Sequence, residues 1–122
     1  MEGYKEHLDL ASERFQVATE QYGQERYHTA AHLFINSAIN YHNAICQKFL
    51  KKIPSHKAHS GTSYFHELEP YMMGDCQKYR DSYALLVSYK GVSDYGYGLS
   101  IDAARIIKRH AAKIKEIAQG LL

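Results

Sequence analysis

Apolar residues recur every three or four positions along most of the chain, and this spacing decides what it can fold into. Tyr4, Leu8, Ala11, Phe15, Ala18 and Tyr22 form one stripe. Tyr27, Ala31, Phe34, Ala38, Tyr41, Ile45 and Phe49 form a second. A further apolar edge runs beside it through Ile35, Ile39, Cys46, Leu50 and Ile53. Met72, Cys76, Tyr79, Tyr83 and Leu86 form a third stripe, and Ala104, Ile107, Ala111, Ile114, Ala118 and Leu121 a fourth. Steps of three and four keep side chains on one face of an α-helix. A half-buried strand needs strict alternation, which the sequence lacks, so the chain is expected to be all-α.

Glycine and proline divide these stripes into helices. Gly23 ends the first. A helix over about 24–52 would be roughly 43 Å long, and its two apolar edges predict a central place with more than one neighbour. Pro54 stops it, because the residue before a proline is pushed out of the helical region. The stretch "PSHKAHSGT" (54–62) reads as a loop, with Thr62 or Ser63 as the next cap. Pro70 and Gly74 predict a short helix near 63–69 followed by a longer one to about 89. Ser100 is a good N-cap for the last helix, and Asp102 in its first turn suits the helix dipole. Gly120 marks fraying or a cap at its end. Short connections make sequential helices antiparallel neighbours. The expectation is a single domain over 1–122, an up-and-down four-helix bundle with one additional short helix.

Bulk properties narrow the function classes. A net charge of +2 in 122 residues gives no general case for nucleic acid. The charge is unevenly spread, however. Residues 1–26 carry six acids against three bases, and residues 101–122 five bases against two acids. No run of 18 apolar residues reads as a membrane span. The polar, acidic start (Met1, Glu2, Lys5, Glu6) does not read as a signal peptide. Two cysteines inside helical patterns read as reduced, buried thiols. Together these predict a cytoplasmic protein without a membrane partner.

The connection between the third and fourth stripes, "VSYKGVSDYGYG" (87–98), does not look like a plain turn. It gathers Tyr89, Lys90, Asp94, Tyr95 and Tyr97 among three glycines. With "ERYHTAAHLFINSAINYHNAIC" (25–46), "SHKAHSGTSYFHEL" (55–68) and "LLVSYKGVSDYGYGLSIDAARIIKRHAAKIKEI" (85–117), the chain resembles the HEPN superfamily of small helical-bundle proteins. The resemblance spans nearly the whole length and rests on order and spacing.

That resemblance implies a metal-independent ribonuclease ancestry. Catalytic members carry an Arg followed after four to six residues by a His, and two such motifs meet across a homodimer. The His moves the proton of the ribose 2′-hydroxyl or of the leaving oxygen, and the Arg stabilises charge on the phosphate. Here Lys90 and Tyr95 stand in their place. Lysine can still hold a phosphate as a point charge. A phenol of ordinary pKa near 10 is a poor stand-in for imidazole at pH 7.

The resemblance therefore implies an RNA- or nucleotide-binding module with a degenerate site at Lys90 and Tyr95, needing no metal or cofactor. Tyr89, Asp94, Tyr97, Arg105, Lys108, Arg109 and Asn40 are the candidate contacts. A homodimer and a nucleotidyltransferase-type partner are the candidate associations. The alternatives are an active endoribonuclease of toxin or defence type and a non-catalytic partner-binding protein.

Other constellations read more plainly. The Arg-x4–6-His spacing also occurs at Arg26–His32 and at Arg105–His110, inside predicted helices. His28 and His32 share a helix face at metal-ligand spacing, with Cys46, His56 or His59 able to complete a site, but a helix groove or solvent suits them as well. Asn36, Asn40, Asn43 and Gln47 form an amide strip. Its reading is open between helix packing or exposure and a nucleotide edge.

Overall fold

The computed structural model describes residues 3–53, 64–91 and 99–122, and among these residues it is all-helical. The helices are α1 (Gly3–Gly23), α2 (Tyr27–Leu50), α3 (Phe65–Met72), α4 (Cys76–Ser88) and α5 (Ile101–Leu121). The expected bundle with one extra short helix is present.

Three boundaries differ from the sequence reading. α2 begins at Tyr27 rather than 24, because Arg26 N–H turns back to the Gln21 carbonyl (2.9 Å) while Glu25 takes φ 62°. It stops at Leu50, where Lys51 adopts a left-handed conformation (φ 59°), so the helix has ended before Pro54. Pro70 does not end a helix; it lies inside α3. The break falls at Met73 and Gly74, both at positive φ (53° and 118°). Proline removes one N–H, whose intrahelical acceptor would be the carbonyl of His66, an exposed residue. The expected caps Thr62 and Ser63 lie outside the described residues. Ser100 caps α5 as expected, its Oγ accepting from the Ala103 N–H at 3.0 Å.

α2 is the central element, packing against α1, α5, α3 and α4. All ten residues from Ser37 to Cys46 are buried, as a helix surrounded on every side requires. Against α1 the approach is close because Ala11 and Ala18 have no exposed surface. The Ser37 hydroxyl donates to the Ala11 carbonyl at 2.6 Å across that contact. α5 turns Ala104, Ile107, Ala111, Ile114 and Ala118 inward, a stripe of alternating small and branched residues. Each fully buried isoleucine favours the fold by about 1.5–3 kcal/mol over an exposed one.

Side-chain contacts fix the directions. Lys108 and Lys115 of α5 lie over the rings of Tyr22 and Phe15 of α1, each 4.3 Å from the ring centroid. α5 therefore runs antiparallel to α1 and parallel to α2. Lys48 near the end of α2 reaches the Leu121 carbonyl at 3.5 Å, in agreement. Asp75 and Lys78, at the start of α4, share a cavity with Lys113 to Leu121, so α4 opposes α5. One end of the bundle thus holds the α1–α2 turn, the end of α4 and the start of α5. The far end holds α3, the start of α4 and the ends of α2 and α5. Among the described residues no helix is long and apolar enough to cross a membrane.

Candidate functional site

The antiparallel packing of α4 and α5 decides which candidate residues meet. Lys90 lies two residues past the end of α4, and Arg105 and Arg109 lie in the first half of α5, so all three belong to the same end of the molecule. Arg105 and Arg109, four residues apart, share an exposed face. Arg105 also sits 3.3 Å from Asp102 on a solvent-exposed rim, an ion pair of small energetic weight. Lys108 does not join that face. It is half-buried over Tyr22, on the α1 side of α5. Arg26, at the α1–α2 turn, adds an exposed guanidinium to this end. Its importance is visible only once the helix directions are known.

Tyr89 is half-buried against the core, and its N–H caps α4 by bonding to Leu86 O at 3.1 Å. Asp94, Tyr95 and Tyr97 lie outside the described residues. Asn40 is not brought to this end. It lies 13 residues into α2, roughly 20 Å of helix beyond the turn. There it is buried and its amide oxygen accepts from the Arg14 guanidinium at 2.7 Å. Of the rest of the amide strip, Asn43 is also buried, while Asn36 donates to the His32 carbonyl at 2.8 Å.

Of the two other Arg–His spacings, Arg26 lies before the first residue of α2, outside the helix that carries His32, and the pair within α5 does not share a face. Arg105 and His110 are five residues apart, about 140° around α5. His110 is engaged with α4 instead, its Nδ1 2.9 Å from Ser82 Oγ. Its pKa is lowered by burial and by the nearby Lys113 and Arg109 cations, so the ring is neutral at pH 7. Ser82 is buried at 3% exposure. The pair therefore ties two helices together and offers no open nucleophile.

The sequence reading passed over His42. It completes the second apolar edge of α2, where Ile35, Ile39, His42 and Cys46 step by four, three and four. The pattern was legible, but a histidine does not register as apolar. In the structure its ring is fully buried, with centroids 4.4 Å from Tyr83, 5.2 Å from Phe65 and 5.7 Å from Tyr79. Nδ1 shares a 2.7 Å hydrogen bond with the Tyr79 hydroxyl, and Nε2 lies 3.6 Å from Cys46 Sγ. Burial raises the Tyr79 and Tyr83 phenols and pushes the Cys46 thiol to about 12. A thiol with that pKa is not a nucleophile at neutral pH. Cys46 thus belongs to this cluster, while His56 and His59 lie outside the described residues. Among the described residues no group of three or more His, Cys, Asp or Glu side chains forms a candidate metal site.

Compared with known protein families, curated proteins and solved structures, the chain matches none of them.

Proposed function

We propose that this chain is a HEPN-like module that binds the phosphates of RNA or a nucleotide at the end of the bundle carrying Lys90, Arg105, Arg109 and Arg26, and that it has lost ribonuclease chemistry. The observation that carries this reading is the gathering of these four cations at one end by antiparallel helix packing. Arginine suits phosphate through its planar fork of donors, and lysine adds a point charge. The degenerate Lys90–Tyr95 pair argues for holding rather than cutting. His110 also supports holding, because its Nδ1 is engaged by Ser82 and its ring is turned to α4. We place the module in the cytoplasm.

The test is fluorescence anisotropy of a labelled single-stranded RNA, and of a labelled nucleotide, across a salt series. Each phosphate contact on a single strand contributes about −0.7 to the slope of log K against log salt. Changing Arg105 and Arg109 together to Ala should weaken binding and flatten that slope by roughly 1.4. Salt-insensitive binding, or none to either ligand, would overturn the reading. Metal-independent cleavage leaving cyclic phosphate ends, abolished by Lys90→Ala, would replace it with an active endoribonuclease.

A further inference from the structure

A buried hydroxyl without a partner marks a second candidate site. Tyr41, on α2, is fully buried, and its hydroxyl has no hydrogen-bond partner. The Ser12 hydroxyl of α1 acts on the same phenol, but the two do not close a hydrogen bond. Burial raises the phenol's pKa, and Ser12 offsets only part of that effect. Leaving a buried polar group unpaired is unfavourable, and phenylalanine would fill the same space without that loss. The hydroxyl thus calls for a partner that the free chain does not supply.

Tyr41 and Ser12 both line a cavity of about 290 Å³. The cavity exists because α1 and α5 each pack on α2 and hardly on each other. That leaves a seam between them, with α2 as its floor. Leu8 and Leu122 supply apolar wall, and Asp9 and Gln119 complete the lining. A cavity of about 150 Å³ accommodates benzene, so this one admits a ring with short substituents. Among the described residues Asp9 is the one charged side chain of the lining, and it makes no ion pair there. Glu6 and Glu13 flank it on the same exposed face of α1, against one base, Lys5. Lys115, one turn before Gln119 on α5, is drawn over the Phe15 ring instead, 4.3 Å from its centroid.

We propose that this cavity binds a small organic amine, one that carries a cationic ammonium and an oxygen acceptor on a compact apolar body. The oxygen accepts a hydrogen bond from the Tyr41 hydroxyl at the floor. The ammonium meets the Asp9 carboxylate at the exposed rim. Leu8 and Leu122 cover the body between them, and the Gln119 amide, both donor and acceptor, serves either polar end. An anion is disfavoured, because the lining offers it no cation and faces it with a carboxylate. Small-molecule sites are commonly apolar clefts with a few placed polar groups. Here one buried donor sets the ligand's orientation and one rim charge sets its sign. The site lies towards the end of the bundle opposite Lys90, Arg105 and Arg109, so the inference does not rest on the RNA reading.

Nuclear magnetic resonance titration of the intact, nitrogen-15-labelled chain, without RNA, tests the proposal. The probes are tyramine, 4-ethylphenol and 3-(4-hydroxyphenyl)propionate, which share a phenol ring and differ in charge. Tyramine should give saturable shifts at the Leu8, Ser12, Tyr41 and Gln119 amides. It should bind about twofold to fivefold tighter than the neutral phenol, the effect of one exposed charge pair, and the anion should bind weakest. Asp9→Asn should remove that margin. Tyr41→Phe should weaken tyramine about threefold to tenfold, the effect of one hydrogen bond, while its thermal midpoint is unchanged or raised because an unpaired hydroxyl has gone. No saturable shift at these amides with any probe would overturn the proposal. So would an anion that binds as tightly as tyramine. A Tyr41→Phe variant that binds tyramine like wild type would also overturn it, since the hydroxyl would then have no part in recognition.

Discussion

α4 is joined to the rest of the bundle by two histidines in unlike surroundings. Towards α2, His42 is closed in by Phe65, Tyr79 and Tyr83, with both ring nitrogens placed against buried groups. Towards α5, His110 meets a single serine and keeps part of its ring near solvent and two cations. Both contacts are hydrogen bonds of nearly equal length, 2.7 and 2.9 Å. The difference lies in what happens when the bond is lost. At His42 no solvent can replace the missing partner, whereas at His110 water can. Burial, not bond length, therefore sets how much each histidine matters to the fold.

The largest test of that contrast is His42→Ala. It opens a cavity among three rings and leaves the Tyr79 hydroxyl without its partner, so chemical denaturation should show a loss of about 3–5 kcal/mol. Tyr79→Phe keeps the packing and removes only the bond, and the loss should be about 1–2 kcal/mol. Ser82→Ala at the other junction should cost less than about 1 kcal/mol, because His110 is only partly buried. If the two single-bond deletions proved equal, the contrast would fail.

The pH dependence separates the same two regions more finely. The His110 pKa is lowered in the folded state, so the unfolded chain binds its proton first as pH falls. Stability from this group is complete above the ordinary histidine value of 6.5 and declines as pH drops through the folded value. His110→Gln should reduce the acid-side slope of stability below about pH 6.5. The His42 surroundings act on the alkaline side. Tyr79, Tyr83 and Cys46 have raised values, so the folded state keeps protons that the unfolded chain releases. Stability is complete below the ordinary thiol value of 9.0 and falls as pH rises towards about 12. Equilibrium unfolding followed by circular dichroism across pH 5–11 should show both limbs, and His110→Gln should alter the acid one alone.

The fold could be read from the sequence wherever spacing and burial agree. The α5 stripe is buried from Ala104 to Ala118 as its steps of three and four imply, with Leu121 at the helix end only partly covered, and Ser100 caps that helix with the bond its side chain predicts. The α3–α4 boundary could not be read from Pro70, because an eight-residue helix at the surface loses little by one missing N–H. There the left-handed pair Met73–Gly74 decides. The candidate site was legible only in part. Arg105 and Arg109 share a face by their spacing, whereas Lys108, between them in sequence, turns to Tyr22 because α5 runs antiparallel to α1 there. Asn40 looked like an available amide, but Arg14 lies 26 residues away in sequence. No local pattern shows that such a partner comes within reach.

The enclosure of Ser37 to Cys46 on all sides of α2 also bears on how the molecule breathes. Amide protons in that stretch can meet deuterated solvent only when the neighbouring helices part, so their exchange should follow global unfolding. Those of α3 can be released by a local opening that leaves the other helices in place. A deuterium-labelling time course would then show α2 as the last helix to take up label.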